Sequence, residues 1–118
     1  MKKTLVIDLD DTICFPNHEF KDTERKYGEA KPNEEFISKM VEIHDTFLIV
    51  INSARRMLTH NGDLDKIEDD VRDITERWLE KYEVPYDELR FGKPYGEYYI
   101  DDKALSIRDF LEGRLEGI

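Results

Sequence analysis

The chain has 118 residues and is strongly acidic: 28 Asp and Glu against 18 Lys and Arg give a net charge of −10 at pH 7. This length suits one ordinary domain, so residues 1–118 are predicted to form a single domain. The negative charge repels polyanions, which argues against a protein that coats DNA or RNA. The one cysteine cannot form an internal disulfide, and the N-terminal apolar run ends after three residues. Both features favour a cytoplasmic protein without a membrane span.

The N-terminal half of the sequence predicts two strands separated by a loop and a helix. Residues 4–9 are a short β-branched apolar run, typical of a strand buried on both faces. Residues 13–31 combine Pro, Gly and many charges and are predicted to be an irregular loop or flap. A helix is predicted to begin after the cap residue Asn33 and to end near His44. Its apolar face is predicted to consist of Phe36, Ile37, Met40 and Val41. Residues 47–51 (Phe-Leu-Ile-Val-Ile) are the clearest second buried strand.

The C-terminal half predicts a long helix, two short strands and a last short helix. A turn at residues 61–63 (Asn-Gly-Asp) precedes the long helix, and Pro85 follows it. The helix is predicted from apolar residues spaced by 4, 3, 4 and 4: Ile67, Val71, Ile74, Trp78 and Tyr82. Residues 89–91 and 98–100 are the candidate strands, and Ser106 opens a capping box. Strands alternating with helices predict an α/β fold, with a mostly parallel sheet and helices on both faces.

Polar residues collect where the predicted strands end. In open α/β sheets, ligands bind beyond the carboxyl ends of the strands. The first strand runs into Asp8, Asp10, Asp11 and Thr12, and the second into Asn52, Ser53, Ala54, Arg55 and Arg56. Lys93 lies just beyond the third strand, and Asp101 and Asp102 follow the fourth. These segments therefore predict one site at the carboxyl edge of the sheet.

The first two carboxylates in this set suit phosphoryl transfer. Asp8 and Asp10 leave an extended backbone on the same face, and they repel each other unless a cation compensates. Mg²⁺ is suited to this role, since it prefers oxygen ligands and bridges to phosphate. One carboxylate can then attack phosphorus while the other passes a proton to the leaving oxygen. The pattern predicts hydrolysis of a phosphate ester through an aspartyl-phosphate.

The other candidate residues supply the charge stabilisation that this reaction requires. Ser53 is expected to donate a hydrogen bond to one phosphate oxygen, and Lys93 to neutralise another. Asp101 is a candidate metal ligand. Asp102 is a candidate either for a further direct ligand or for a residue that contacts the metal's ligands. Arg55 is a candidate contact to the substrate, whereas Arg56 is favoured as a surface ion pair.

These motifs resemble those of the haloacid dehalogenase superfamily of phosphatases. Residues 8–12 (Asp-Leu-Asp-Asp-Thr) resemble its first motif, Asp-x-Asp-x-Thr. Ser53 resembles the second motif, Lys93 the third, and residues 101–102 the acidic fourth. The four motifs occur in order over residues 4–102, which is nearly the whole chain.

The resemblance implies a Rossmann-like fold, Mg²⁺ as cofactor, Asp8 as nucleophile and Asp10 as general acid and base. It also implies that the metal is bound by the side chains of Asp8 and Asp101 and by the backbone carbonyl of Asp10. The residues expected around the substrate phosphate are Asp11, Thr12, Asn52, Ala54 and Arg55. Many members have glycine where this chain has Asp11, and only seven residues separate Lys93 from Asp101.

A narrower resemblance is to small phosphatases without a cap domain, often labelled capsular or surface-polysaccharide biosynthesis proteins. It rests on residues 51–57 (Ile-Asn-Ser-Ala-Arg-Arg-Met), 84–89 (Val-Pro-Tyr-Asp-Glu-Leu) and 92–94 (Gly-Lys-Pro). The chain has no room for a large cap domain. The site is therefore expected to be open, unless residues 13–31 or a second copy of the chain in a homo-oligomer covers it.

The predicted substrate is a small phosphorylated metabolite, such as a sugar phosphate. The alternative within enzymes is a nucleic-acid 3′-phosphatase, since residues 53–56 (Ser-Ala-Arg-Arg) and the following Trp-containing helix also resemble polynucleotide kinase phosphatase domains. The charge of −10 argues against it. The alternative of another class is a receiver-like or catalytically silent phosphate-binding module.

Overall fold

Three parallel strands form the centre of the computed structural model, which describes residues 1–115. In chain order the elements are β1 (Lys3–Asp8), β2 (Cys14–Phe15), α1 (Thr23–Lys26), β3 (Lys31–Pro32), α2 (Glu34–Ile43), β4 (Phe47–Ser53), α3 (Leu64–Lys81), β5 (Glu88–Phe91) and α4 (Ile107–Leu111). The sheet order is β1-β4-β5, and β2 pairs with β3 in a separate antiparallel pair. The α/β fold with a parallel sheet is confirmed.

The register of the sheet brings the carboxyl ends of its strands level with one another. Asp8 at the end of β1 pairs with Asn52 of β4, and Ser53 pairs with Phe91 at the end of β5. Residues paired in a parallel ladder point to the same side of the sheet. The polar residues that follow these strands therefore start from one edge.

One face of the sheet is buried, and the other is partly open. The buried face carries Ile7 of β1, Ile49 and Ile51 of β4, and Leu89 of β5. On the opposite face Val6 is 64% exposed and Leu48 is also exposed. The prediction that the first strand is buried on both faces is therefore wrong. β1 lies at the edge of the sheet, and its outward face borders a cavity instead of a packed layer.

The predicted helices form where their caps and periodicity place them. Asn33 caps α2, and its side chain accepts a hydrogen bond from the Phe36 backbone N–H at 3.3 Å. Asp63 caps α3 in the same way. Val41 is exposed, contrary to prediction, because Ile43 takes the buried position one turn beyond Met40. Within residues 1–115, no helix combines the length and apolar character needed to cross a membrane.

Most of residues 13–31 lie outside helices and strands, as predicted, but the segment is packed into the fold and is not a flap. They contain β2, α1 and the start of β3, and five of these residues are buried: Ile13, Cys14, Pro16, Tyr27 and Ala30. The Trp78 indole N–H of α3 donates to the Ala30 carbonyl at 2.9 Å. Apolar residues scattered among charges therefore anchor this segment to α3.

Residues 98–100 do not form the predicted strand. Tyr98 is 88% exposed, and Ile100 is fully exposed. The Tyr99 hydroxyl donates to the Pro94 carbonyl at 2.7 Å and accepts from the Gly96 N–H at 3.1 Å. These bonds fold residues 94–99 upon themselves. The segment therefore does not pair with the edge of β1, although its residue types favour a strand.

Candidate active site

The turn after β1 sets the direction of the first motif. The Leu9 carbonyl accepts hydrogen bonds from the N–H groups of Thr12, Ile13 and Cys14, at 3.3, 2.8 and 3.3 Å. Asp11 has φ of 65°, in the left-handed region that favours glycine but tolerates aspartate. This backbone requirement gives a physical reason for glycine at this position in the resembling sequences.

Asp8 lies at the mouth of the site and is held by two neighbours. Lys93 Nζ is 3.2 Å from Asp8 Oδ1, and the Thr12 hydroxyl donates to Oδ2 at 3.4 Å. The backbone N–H of Lys93 donates to the Ser53 carbonyl at 3.2 Å. This bond ties the turn after β5 to the end of β4. The structure thus brings Thr12 and Lys93 against Asp8, and the Ser53 backbone against Lys93.

Ser53 ends β4, the strand that pairs with the strand carrying Asp8. Ser53 is buried, and its hydroxyl oxygen accepts a hydrogen bond from the Arg55 backbone N–H at 3.1 Å. The hydroxyl hydrogen is then free to donate elsewhere. Asn52 borders the same cavity as Asp8, whereas Ala54 is half-buried and Asp11 points to solvent.

Arg55 binds Asp10 below the surface of the site. Arg55 Nε lies 3.1 and 3.0 Å from the two Asp10 oxygens, and Nη2 lies 2.8 Å from Oδ1. The Arg55 side chain is 1% exposed, while that of Asp10 is 26% exposed. Burial by itself lowers the pKa of Arg55, but the charge and hydrogen bonds of Asp10 outweigh it and raise that pKa. The guanidinium therefore stays charged, and it faces Asp10 instead of the open site.

Sequence reasoning missed the residues that hold this pair. Arg55 Nη1 donates to the Thr75 hydroxyl of α3 at 2.8 Å, and the guanidinium carbon lies 4.2 Å from the centre of the Tyr27 ring. The Cys14 thiol donates to Asp10 Oδ1 at 3.4 Å. One signal was available: Thr75 is a polar residue next to Ile74 on the buried stripe of α3, where a hydroxyl needs a partner.

The two acidic residues of the fourth motif are not brought against the first motif. Asp101 and Asp102 are both exposed, because residues 98–100 do not form a strand. The Lys103 backbone N–H donates to Asp101 at 2.9 Å, and this bond lowers the Asp101 pKa. Across residues 1–115, no three His, Cys, Asp or Glu side chains lie close enough to hold a metal ion. The oxygen donors expected for Mg²⁺ are present, but this geometry does not assemble them.

A cavity of about 620 Å³ connects the two regions. It borders Asp8, Asn52 and Lys93, runs along β1, and is also bordered by residues between 99 and 110. Asp101 lies on its wall. A volume of this size is typical of small-molecule sites. A smaller cavity of about 230 Å³ lies between α1 and α3, away from these residues.

The fold and these side chains define an α/β protein with a carboxylate, a lysine and a hydroxyl at the carboxyl edge of a parallel sheet. The chain is similar to an MCSG target protein from Vibrio cholerae, known from a crystal structure. The two are 37% identical, with a TM-score of 0.80, over 92% of this chain and 87% of that one. The chain belongs to the same family as this Vibrio cholerae protein.

Two further solved structures share the fold at lower identity. A chain in the Pnkp1/Rnl/Hen1 complex is 22% identical with a TM-score of 0.59, and one in the Pnkp1/Rnl/Hen1 RNA repair complex is 17% identical with a TM-score of 0.57. Each match covers 95% of this chain, which spans 34% and 30% of those chains. No protein-family model and no curated protein matches the sequence.

Proposed function

We propose that the chain is a phosphomonoester hydrolase of the haloacid dehalogenase type, with Asp8 as its nucleophile. The observation that carries this proposal is the Asp8 carboxylate at the end of β1, with Lys93 Nζ at 3.2 Å and the Thr12 hydroxyl at 3.4 Å. A lysine next to a carboxylate keeps it ionised and also attracts a phosphate group. A nucleophile and a binding charge therefore share one end of the cavity.

The reaction has two steps. In the first, an Asp8 oxygen attacks phosphorus, the bond from phosphorus to the ester oxygen breaks, and Asp10 gives its proton to that oxygen. In the second, water attacks the phosphorus of the aspartyl-phosphate and gives its proton to Asp10. This breaks the bond between phosphorus and the Asp8 oxygen, releases inorganic phosphate and restores Asp8. Ser53 donates its free hydroxyl hydrogen to the phosphate, and Lys93 stabilises the charge on it. The other residues that we propose to surround the phosphate are Asp11, Thr12, Asn52 and Ala54.

We propose Mg²⁺ as the cofactor, held by Asp8, by the Asp10 carbonyl, and by Asp101 or Asp102. When bound, Mg²⁺ would neutralise charge between the phosphate and these carboxylates. Asp101 lies on the wall of the cavity that Asp8 borders, and we propose that residues 98–103 rearrange when Mg²⁺ binds, so that Asp101 or Asp102 reaches it. This rearrangement is part of the proposal.

The proposed substrate is a small phosphorylated metabolite of the cytoplasm, such as a sugar phosphate. A 620 Å³ cavity is large enough for one, and the net charge of −10 disfavours long polyanions. The labelling of similar small phosphatases suggests surface-polysaccharide synthesis as a context.

A nucleic-acid 3′-phosphatase is the second candidate. The observation that favours it is the shared fold with chains in the Pnkp1/Rnl/Hen1 complexes, one of which is described as an RNA repair complex. A short phosphorylated end would meet less repulsion than a long polyanion, so the charge of the chain does not exclude it.

The test is phosphate release from sugar phosphates, nucleotides and a 3′-phosphorylated oligonucleotide, with Mg²⁺ or EDTA. Asp8→Asn should lower kcat about 10⁴-fold or more, as the loss of a nucleophile does. Asp45→Asn is the matched control, because Asp45 is exposed and precedes β4 at the opposite end of the sheet. The preferred substrate decides between metabolite and nucleic acid. An active Asp8→Asn variant contradicts the proposal, and phosphate binding without turnover indicates a silent or receiver-like module.

A further inference from the structure

We propose that Arg55 is a positioning residue, which fixes the Asp10 carboxylate so that its Oδ2 atom exchanges the proton during catalysis. This inference rests on the proposed phosphatase function and assigns Arg55 a role other than substrate contact. The two roles differ in geometry. A substrate contact must present its guanidinium to the cavity, whereas a positioning residue must be held against the group that it orients.

Among the described residues, protein groups contact the Arg55 guanidinium through its hydrogen-bond donors and on one face of its plane. Nε and Nη2 donate to Asp10, Nη1 donates to the Thr75 hydroxyl, and Tyr27 covers the guanidinium plane at 4.2 Å. The side chain is 1% exposed. Its planar, five-donor fork holds one geometry when its donors are satisfied. Arg55 therefore cannot turn toward a ligand without leaving the Asp10 carboxylate unpaired.

The two oxygens of Asp10 are held unequally. Oδ1 receives Arg55 Nε at 3.1 Å, Arg55 Nη2 at 2.8 Å and the Cys14 thiol at 3.4 Å. Oδ2 receives Arg55 Nε alone among these donors, at 3.0 Å. An oxygen with three donors has little capacity for a proton, whereas one with a single donor keeps a lone pair free. Oδ2 is therefore the Asp10 oxygen that is left for proton exchange.

Thr75 offers a test that keeps the fold. Thr75→Val removes the hydroxyl that accepts from Arg55 Nη1 but retains the shape of the side chain, and Thr75→Ser restores the hydroxyl. Arg55→Lys is the stronger variant, because an ammonium cannot form the bidentate contact. Thr46→Val serves as the control, since Thr46 is exposed in the turn before β4. Urea unfolding of each variant shows whether it folds; if Arg55→Lys does not, the two Thr75 variants still decide.

The measurement compares two phosphate esters that differ in their need for a proton. An alkyl phosphate requires protonation of its leaving oxygen, whereas p-nitrophenyl phosphate has a leaving group that departs as an anion. Thr75→Val should lower kcat about 10-fold for the alkyl ester and less than about 3-fold for the p-nitrophenyl ester, with KM unchanged. Arg55→Lys should give about a 100-fold loss with the alkyl ester. Thr75→Ser and Thr46→Val should both stay within about twofold of wild type.

Three outcomes would overturn the inference. An equal loss of kcat with both esters would mean that Arg55 supports only the structure. A rise in KM at constant kcat would mean that Arg55 contacts the substrate. A wild-type protein that turns over no phosphate ester would overturn the proposed function together with this inference. In the first two outcomes wild-type turnover remains, so they leave the proposed function intact.

Discussion

The carboxyl edge of the sheet and residues 94–105 each carry two of the four acidic residues predicted for the metal site. At the sheet edge, Asp8 and Asp10 are held by Lys93 and Arg55, which follow other strands. Residues 94–105 instead make bonds among themselves, and Asp101 bonds to the next residue but one. Contacts between distant parts of the chain build the first region, whereas contacts between near neighbours build the second.

This difference follows from what limits each segment. The ladder between β1 and β4 fixes the level of Asp8, and the bond from the Lys93 N–H to the Ser53 carbonyl fixes the turn after β5. Residues 98–100 pair with no strand: the Tyr99 hydroxyl bonds to the Pro94 and Gly96 backbone groups, and the Tyr99 ring centre lies 4.3 Å from Lys93 Nζ. We therefore expect substitutions at the sheet edge to lower the free energy of unfolding more than substitutions in residues 94–105 do.

The largest expected contrast is between Asp10→Ala and Asp101→Ala. Asp10→Ala leaves the buried Arg55 guanidinium without its carboxylate, which should lower the free energy of unfolding by about 3 kcal/mol. Asp101→Ala removes an exposed side chain that bonds locally, so it should leave the unfolding midpoint unchanged. Urea unfolding in EDTA measures both. Equal losses would show that the two regions are constrained alike.

A smaller contrast is expected between two glycines. A Cβ at Gly28 would lie 2.4 Å from the Glu24 carbonyl oxygen and 3.0 Å from Ile74 Cδ1. Gly28→Ala should therefore lower the free energy of unfolding by about 1–3 kcal/mol. A Cβ at Gly96 would meet the Tyr98 carbonyl oxygen at 3.4 Å, so Gly96→Ala should change stability by less than about 0.5 kcal/mol. Thermal unfolding distinguishes the two variants. A Gly28→Ala protein as stable as wild type would show that α1 can shift to make room for the added Cβ.

The smallest expected effect is a dependence on alkaline pH. Burial and the neighbouring Asp10 carboxylate raise the pKa of the Cys14 thiol above its ordinary value of 9.0. As pH rises past about 9, the unfolded chain ionises its thiol while the folded chain keeps the proton, so stability falls. Cys14 should contribute a loss of at most about 1.4 kcal/mol per pH unit. Urea midpoints between pH 8 and pH 10.5 measure this loss.

The matched comparison for this effect uses the second region. Cys14→Ser removes the titrating thiol and should flatten the profile relative to wild type. Adding Ile100→Cys to Cys14→Ser places a thiol at a fully exposed position, where folding should not affect its ionisation. That double variant should therefore follow Cys14→Ser. A profile for Cys14→Ser as steep as that of wild type would show that other groups cause the alkaline loss.

Much of the local structure was predictable from the sequence. The caps Asn33 and Ser106 and the apolar stripe of α3 act within a few residues, so their patterns are sufficient to predict helices. The meeting of Asp8, Ser53 and Lys93 was also predictable, because the carboxyl ends of parallel strands share one edge. The strand prediction for residues 98–100 was wrong, since residue types alone do not show which edge accepts a strand.

The sequence by itself determined the three strands of the sheet, the three longest helices, their order along the chain and the edge at which the reactive groups collect. Only the tertiary structure decided which partner each charged group has. Arg55 lies 45 residues from Asp10 and 20 from Thr75, and it bonds to both. Motif spacing left Arg55 equally suited to a ligand or to the protein. Its burial beneath Tyr27 and beside α3 pairs it with Asp10, because a guanidinium removed from water must be paired with a carboxylate.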